Sequence, residues 1–276
     1  MRWITARRRR PLFGYAAVLL ALVAVGMLYA AVTGVGGSTA SAGSGSSSAQ
    51  IAEGKDLFDT SCSSCHGLDA QGRSGVAPSL VGAGAAAVDF QVGTGRMPLK
   101  ESNAEAAQKP PVFNQQQIYA IAAYVASLGG GPAIPTDQQV STAGADAGNG
   151  QSLFNANCAQ CHNYSGAGGA LTDGMYAPAL TNATNRQIYE AMLTGPEAMP
   201  VFNDETLPPA DKRDIIAYIT QTRSETNPGG FSLGRVGPTT EGLVAWLGGI
   251  GALVLAALWI TAKRREERTG EITDNR

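Results

Sequence analysis

Apolar runs close the two ends of the chain, and short amphipathic stretches fill its middle. Residues 12–35 and 242–262 contain no charged side chain. At 1.5 Å per residue, each run is long enough to cross a hydrocarbon core about 30 Å thick. Arginines fill positions 7–10 just before the first run, and Lys263, Arg264 and Arg265 follow the second at once. The positive-inside bias therefore predicts two transmembrane helices with both termini in the cytoplasm and everything between them outside. A cleaved leader is the competing reading of the first run, since Ser38, Ala40 and Ala42 offer small residues for a cut. Its apolar core exceeds the roughly 7–15 residues of such peptides, which favours a retained anchor.

Between the spans, helical periodicity recurs at residues 118–128, 185–193 and 212–222, separated by Gly- and Pro-rich loops, with no sustained alternation of the strand type. The middle also repeats itself. Gly54, Leu57, Phe58, Cys62, Cys65 and His66 return as Gly150, Leu153, Phe154, Cys158, Cys161 and His162, each displaced by 96 positions. Ala77-Pro78 is answered by Ala177-Pro178 and Met97-Pro98 by Met199-Pro200, while Phe113-Asn114 returns as Phe202-Asn203. The first copy has 13 extra residues between its Met and its Phe, at 99–111. The pattern predicts a duplicated helical domain.

The predicted layout has eight parts. A basic N-terminus and span cover 1–35, a Ser/Gly tether 36–49, the first domain 50–130 and a linker 131–145. The second domain covers 146–223, an irregular arm 224–241, the second span 242–262 and a cytoplasmic tail 263–276. Charge agrees with this division. Residues 36–241 hold 18 acidic and 10 basic side chains, a net of −8, although the whole chain is only −2. That acidic middle could steer a basic partner.

The chemistry lies in Cys-x-x-Cys-His, which occurs twice and consumes all four cysteines and both histidines. The spacing puts two thiols one helical turn apart, able to add to the vinyl groups of haem, with the adjacent His under the iron. Three other readings compete. Disulfides suit an oxidising exterior but leave the histidines unexplained. A thioredoxin-like motif expects a βαβ setting, and a zinc site needs four tetrahedral ligands. Cys62, Cys65 and His66, with Cys158, Cys161 and His162, are therefore expected to hold two covalent haem c groups. For the sixth position, Met97 and Met199 follow their histidines by 31 and 37 residues in a shared Met-Pro context. Thioether ligation opposite His raises the reduction potential and closes the iron to substrates. His66, Met97, His162 and Met199 are thus the expected iron ligands. Met192 is expected to fill core and Met175 to sit in a loop. Pro78 and Pro178 are expected beside the histidines, and Gly54 with Tyr124, and Gly150 with Tyr218, where terminal helices cross. No acid, base or nucleophile constellation stands out, so no catalytic residue is expected.

Each repeat resembles a class I cytochrome c domain, which implies an all-α fold of two tandem class I cytochrome c domains between two transmembrane helices. The whole layout is similar to the dihaem cytochrome c subunit (cytochrome cc) of the actinobacterial menaquinol:cytochrome c oxidoreductase, the cytochrome bcc complex. That resemblance implies an electron-transfer subunit of a cell-membrane complex, working with a cytochrome b, a Rieske iron–sulfur protein and a cytochrome c oxidase in a supercomplex. It also implies that the second domain accepts electrons and the first delivers them. Two alternatives share the motifs: a free-standing or oxidase-attached anchored carrier, and a dihaem enzyme such as a peroxidase.

Overall fold

The computed structural model of the chain describes residues 11–33, 46–101, 105–225, 233–235 and 238–274. The arginines at 7–10, most of the Ser/Gly tether, the Pro228-Gly229-Gly230 segment and Gly237 lie outside the described residues.

Two helical units with the same plan form the middle. The first contains α1 (Ser48–Ser61), α2 (Ser63–His66), α3 (Gly84–Gly93) and α4 (Gln115–Ser127). The second contains α5 (Asp137–Val140), α6 (Ala147–Asn157), α7 (Ala159–His162), α8 (Asn185–Thr194) and α9 (Pro209–Ser224). Local sequence sets these boundaries. Ser47 and Asp146 cap α1 and α6 by accepting backbone N–H groups. Asn114 with Gln117, and Thr184 with Gln187, form reciprocal capping boxes, each cap being worth about 1 kcal/mol. Pro209 stands at the first position of α9, where its missing N–H leaves no bond unmade. Gly195 ends α8 in the left-handed region.

In each unit the terminal helices cross where a glycine removes the side chain. A methyl on Gly54 would lie 1.9 Å from the carbonyl oxygen of Ala120, and one on Gly150 equally close to that of Asp214. The crossings brace a tilted aromatic pair, Phe58 on Tyr124 at 5.2 Å and Phe154 on Tyr218 at 5.3 Å. Val88, Val92, Ile118, Ile121 and Val125 complete the first core. Ile188, Tyr189, Met192, Ile215, Ile216 and Ile219 complete the second. Burying one such side chain contributes about 1.5–3 kcal/mol.

The units also touch each other. The α3 helix packs on α8, Arg186 donates to the Tyr119 hydroxyl at 3.0 Å and pairs with Asp137 at 2.9 Å. The expected linker 131–145 lies against both units. The Pro132 carbonyl accepts from Ala86, while Ser141 and Ala143 carbonyls accept from Arg213. A short hairpin, β1 (Gly169–Ala170) with β2 (Tyr176–Ala177), is a strand pair that periodicity did not predict.

Two apolar helices flank the units. Residues Pro11–Thr33 form one helix, whose described side chains, Tyr15–Met27, are exposed. Residues Pro238–Asp274 form the other. Within it, Thr240–Arg265 is the one helix among the described residues long and apolar enough to cross a membrane, and none of it is buried against protein. Lys263 sits 5.8 Å over the Trp259 ring at the end of that stretch.

Candidate cofactor site

The first cysteine of each motif ends a long helix. Cys62 and Cys158 share φ near −121°, which breaks α1 and α6 and starts a single turn ending at the histidine. The N–H groups of Cys65 and His66 fold back on the Cys62 carbonyl, and those of Cys161 and His162 on Cys158. After the histidine, Gly67 and Asn163 take positive φ and turn the chain sharply.

The returning loop fixes each ring. Nδ1 of His66 lies 2.9 Å from the Pro78 carbonyl, and Nδ1 of His162 lies 3.0 Å from that of Pro178. A carbonyl can only accept, so Nδ1 is the donor and Nε2 keeps its lone pair, the tautomer a metal-ligating imidazole needs. Burial lowers the pKa of His162, opposed by its bond to Pro178. Burial, then the neighbouring cysteine, pushes Cys62 and Cys158 up to about 11, so both are neutral thiols. All four cysteines are free thiols. Among the described residues, no three His, Cys, Asp or Glu side chains converge as a metal cluster.

In the second unit Cys158, Cys161, His162 and Met199 line one cavity of about 1270 Å³, counting its open mouth. Phe154, Leu180, Ile188, Met192, Phe202 and Ile219 give it an apolar wall. Such a slot, with two thiols and an imidazole on one side and a thioether also on its wall, fits a large flat apolar cofactor such as haem. In the first unit Cys62 and Met97 both border the core around Phe58 and Val92, and His66 is buried. Met192 is core, 2% exposed. Met175 lies in the loop between the hairpin strands.

Sequence reasoning missed one part of this site. Phe90, Thr94, Arg96, Glu105, Ala106 and Gln108 belong to the first unit, yet they line the second unit's cavity. Glu105 also accepts from the Tyr176 N–H at 3.3 Å. Two of these six, Arg96 and Glu105, carry charge. Ala198 stands where the repeat would put Arg96, and Glu105 lies in the extra 13 residues, so the repeat itself carried no signal for either.

Comparison with known proteins agrees with the repeat. Residues 51–129 match the family described as Cytochrome c, and residues 145–219 match Cytochrome C oxidase, cbb3-type, subunit III. The cytochrome bc1 complex cytochrome c subunit of Mycobacterium bovis is 47% identical over 262 residues, covering 93% of each chain. The protein of the same name from Corynebacterium efficiens is 43% identical over 269 residues, covering 92% of this chain and 90% of its own. The cbb3-type cytochrome c oxidase subunit FixP of Bradyrhizobium diazoefficiens is 32% identical over 141 residues, 48% of this chain and 44% of its own.

Proposed function

The chain belongs to the family of cytochrome c subunits of the cytochrome bc1 complex, and on that premise we propose that it is the electron wire of a respiratory quinol-oxidising complex, carrying two covalent haem c groups. The observation that carries the reading is the convergence of Cys158, Cys161, His162 and Met199 on one apolar cavity, in a chain whose first unit repeats those residue types.

Haem c, when bound, supplies a one-electron iron couple. The residues of the chain do the rest. Cys62 and Cys65 would hold one group through thioether bonds, and Cys158 and Cys161 the other. His66 and His162 would ligate through Nε2, steadied by the Pro78 and Pro178 carbonyls. Met97 and Met199 would close the sixth positions and keep small ligands out. Catalysis of the complex needs no acid or base from this chain, which serves as its electron-transfer subunit.

The partners are a cytochrome b, a Rieske iron–sulfur protein and a cytochrome c oxidase. Electrons enter at the second unit, which the C-terminal span tethers near the membrane, and leave from the first towards the oxidase. Contact between α3 and α8 supports a short path between the units. The chain is a two-pass protein of the cell membrane, with residues 1–35 and 242–276 supplying the spans and cytoplasmic ends. Domain limits at 50–130 and 146–223 enclose the two cores, and the family matches cover 51–129 and 145–219.

Purification of the tagged chain from its native membrane in mild detergent tests the reading. A reduced-minus-oxidised spectrum with b-type and a-type bands beside the c-type is expected. A c-type spectrum alone in the gentlest detergent would leave only an anchored carrier. Stopped-flow reduction by quinol tests the order: Cys161→Ala should abolish rapid reduction of the first haem, and normal reduction would reverse the assignment.

A further inference from the structure

Arg96 is 9% exposed and lines the second unit's cavity, although it belongs to the first unit and directly precedes Met97. Its guanidinium stacks 4.9 Å from the centre of the Phe90 ring. Among the described residues it makes no ion pair, and it is the one Lys or Arg on the cavity wall. The acidic groups that attract it electrostatically are Glu197 and Glu105. Glu105 turns its carboxylate to the Tyr176 N–H, and Glu197 is exposed. A guanidinium taken out of water without a hydrogen-bonded anion is costly, and a group that lines a cavity in that state is built for an anion inside it.

We propose that Arg96 of the first unit is the cation that pairs with a propionate of the haem held by the second unit. This rests on the reading that Cys158, Cys161 and His162 bind haem, whose apolar ring suits the wall and whose carboxylates need a partner. The first unit thereby completes its neighbour's site. Arg96 is a positioning residue, and the backbone that places it is pinned. Met97 N–H donates to the Gln91 carbonyl at 2.9 Å, Lys109 N–H to the Thr94 carbonyl, and Gly95 packs against Lys109 so tightly that a methyl would lie 2.0 Å from its carbonyl oxygen. One short segment, 94–97, therefore carries both the expected iron ligand of one site and the anion partner of the other.

The test is a redox titration of the complex with Arg96→Gln and Arg96→Lys, beside a count of c-type haem per chain by the pyridine haemochrome. Met199→Ala identifies which of the two potentials belongs to the second site. Loss of the cation stabilises the ferric form. R96Q should keep both haems and shift the one-electron equilibrium of the second about tenfold towards oxidation, ~59 mV, with R96K recovering most of the shift. If R96Q loses the second haem outright while R96K keeps it, the pairing also stands. Unchanged potentials in R96Q, or R96K behaving like R96Q, would overturn it. Failure of the underlying reading looks different: the wild-type chain would hold fewer than two haems, with Cys161→Ala leaving the count unchanged.

Discussion

The Glu190 carboxyl, 1% exposed in the second unit, is buried against that of Asp89 in the first. Desolvation, then the charge of Asp89 and a hydrogen bond to it, pushes Glu190 up to about 10, with Arg186 pulling the other way. Gln115 donates to Asp89 at 3.1 Å, and Glu190 Oε1 has no partner among the described residues. At neutral pH Glu190 thus keeps its proton.

Stability should follow that proton. Free Glu titrates near 4.5, so above that pH the unfolded chain has lost a proton the folded chain keeps. Stability then falls as pH rises from about 4.5 towards 10. Glu190→Gln removes the titration, so the denaturation midpoint should depend less on pH. At pH 8 the variant should gain on the order of 1 kcal/mol, about 2–4 °C for a protein of this size. Circular-dichroism melts from pH 5 to 9 check this; a variant less stable at pH 8 with the slope intact would refute it.

The helix crossings give a second prediction. Gly54→Ala and Gly150→Ala each force a methyl onto a backbone carbonyl and should cost at least ~1–3 kcal/mol. Gly93→Ala is the control, because its methyl would meet only Asp89 Oδ1 at 3.8 Å. Thermal melts should rank G93A near wild type and both crossing variants well below it.

The methionines separate by role. Met97→Ala or Met199→Ala should leave the chain folded and covalently loaded, lower one reduction potential and let the ferrous protein bind carbon monoxide. Met192→Ala should cost about 2–5 kcal/mol of stability and bind no carbon monoxide. Rapid binding in the wild type would point to an open coordination position and a haem enzyme.

Lys212 is fully buried, with its Nζ 2.8 Å from Asp204 and 5.7 Å from the centre of the Tyr189 ring. Asp204 is half-exposed. Removing either partner is therefore unequal: Asp204→Ala strips a buried cation of its carboxylate and leaves it the Leu207 carbonyl, whereas Lys212→Met leaves an acid that water can solvate. Urea midpoints should fall further for D204A than for K212M, and the reverse order would contradict the burial argument.

What the sequence disclosed follows from locality. The two Cys-x-x-Cys-His turns and the glycine crossings are set by residues close in the chain or by the repeat, and both were readable. The crossing partner was read one turn off: Gly54 meets Ala120 first and the Cβ of Tyr124 second. Contacts between the units were not readable. Asp89 and Glu190 look like ordinary helix acids, and Arg96 like an ordinary loop cation, until α3 is placed on α8. Residues 131–145 read as a linker by composition, yet backbone carbonyls there accept bonds from both units, which no side-chain pattern announces.

Intact-mass spectrometry of the purified chain, with the pyridine haemochrome, tests the central claim most directly. The account predicts a mass increment of two haems, falling to one in a chain with Cys62 and Cys65 both replaced by Ala, and to one with Cys158 and Cys161 replaced instead. An increment of one haem or none in the wild type, or a count that either double variant leaves unchanged, would contradict it.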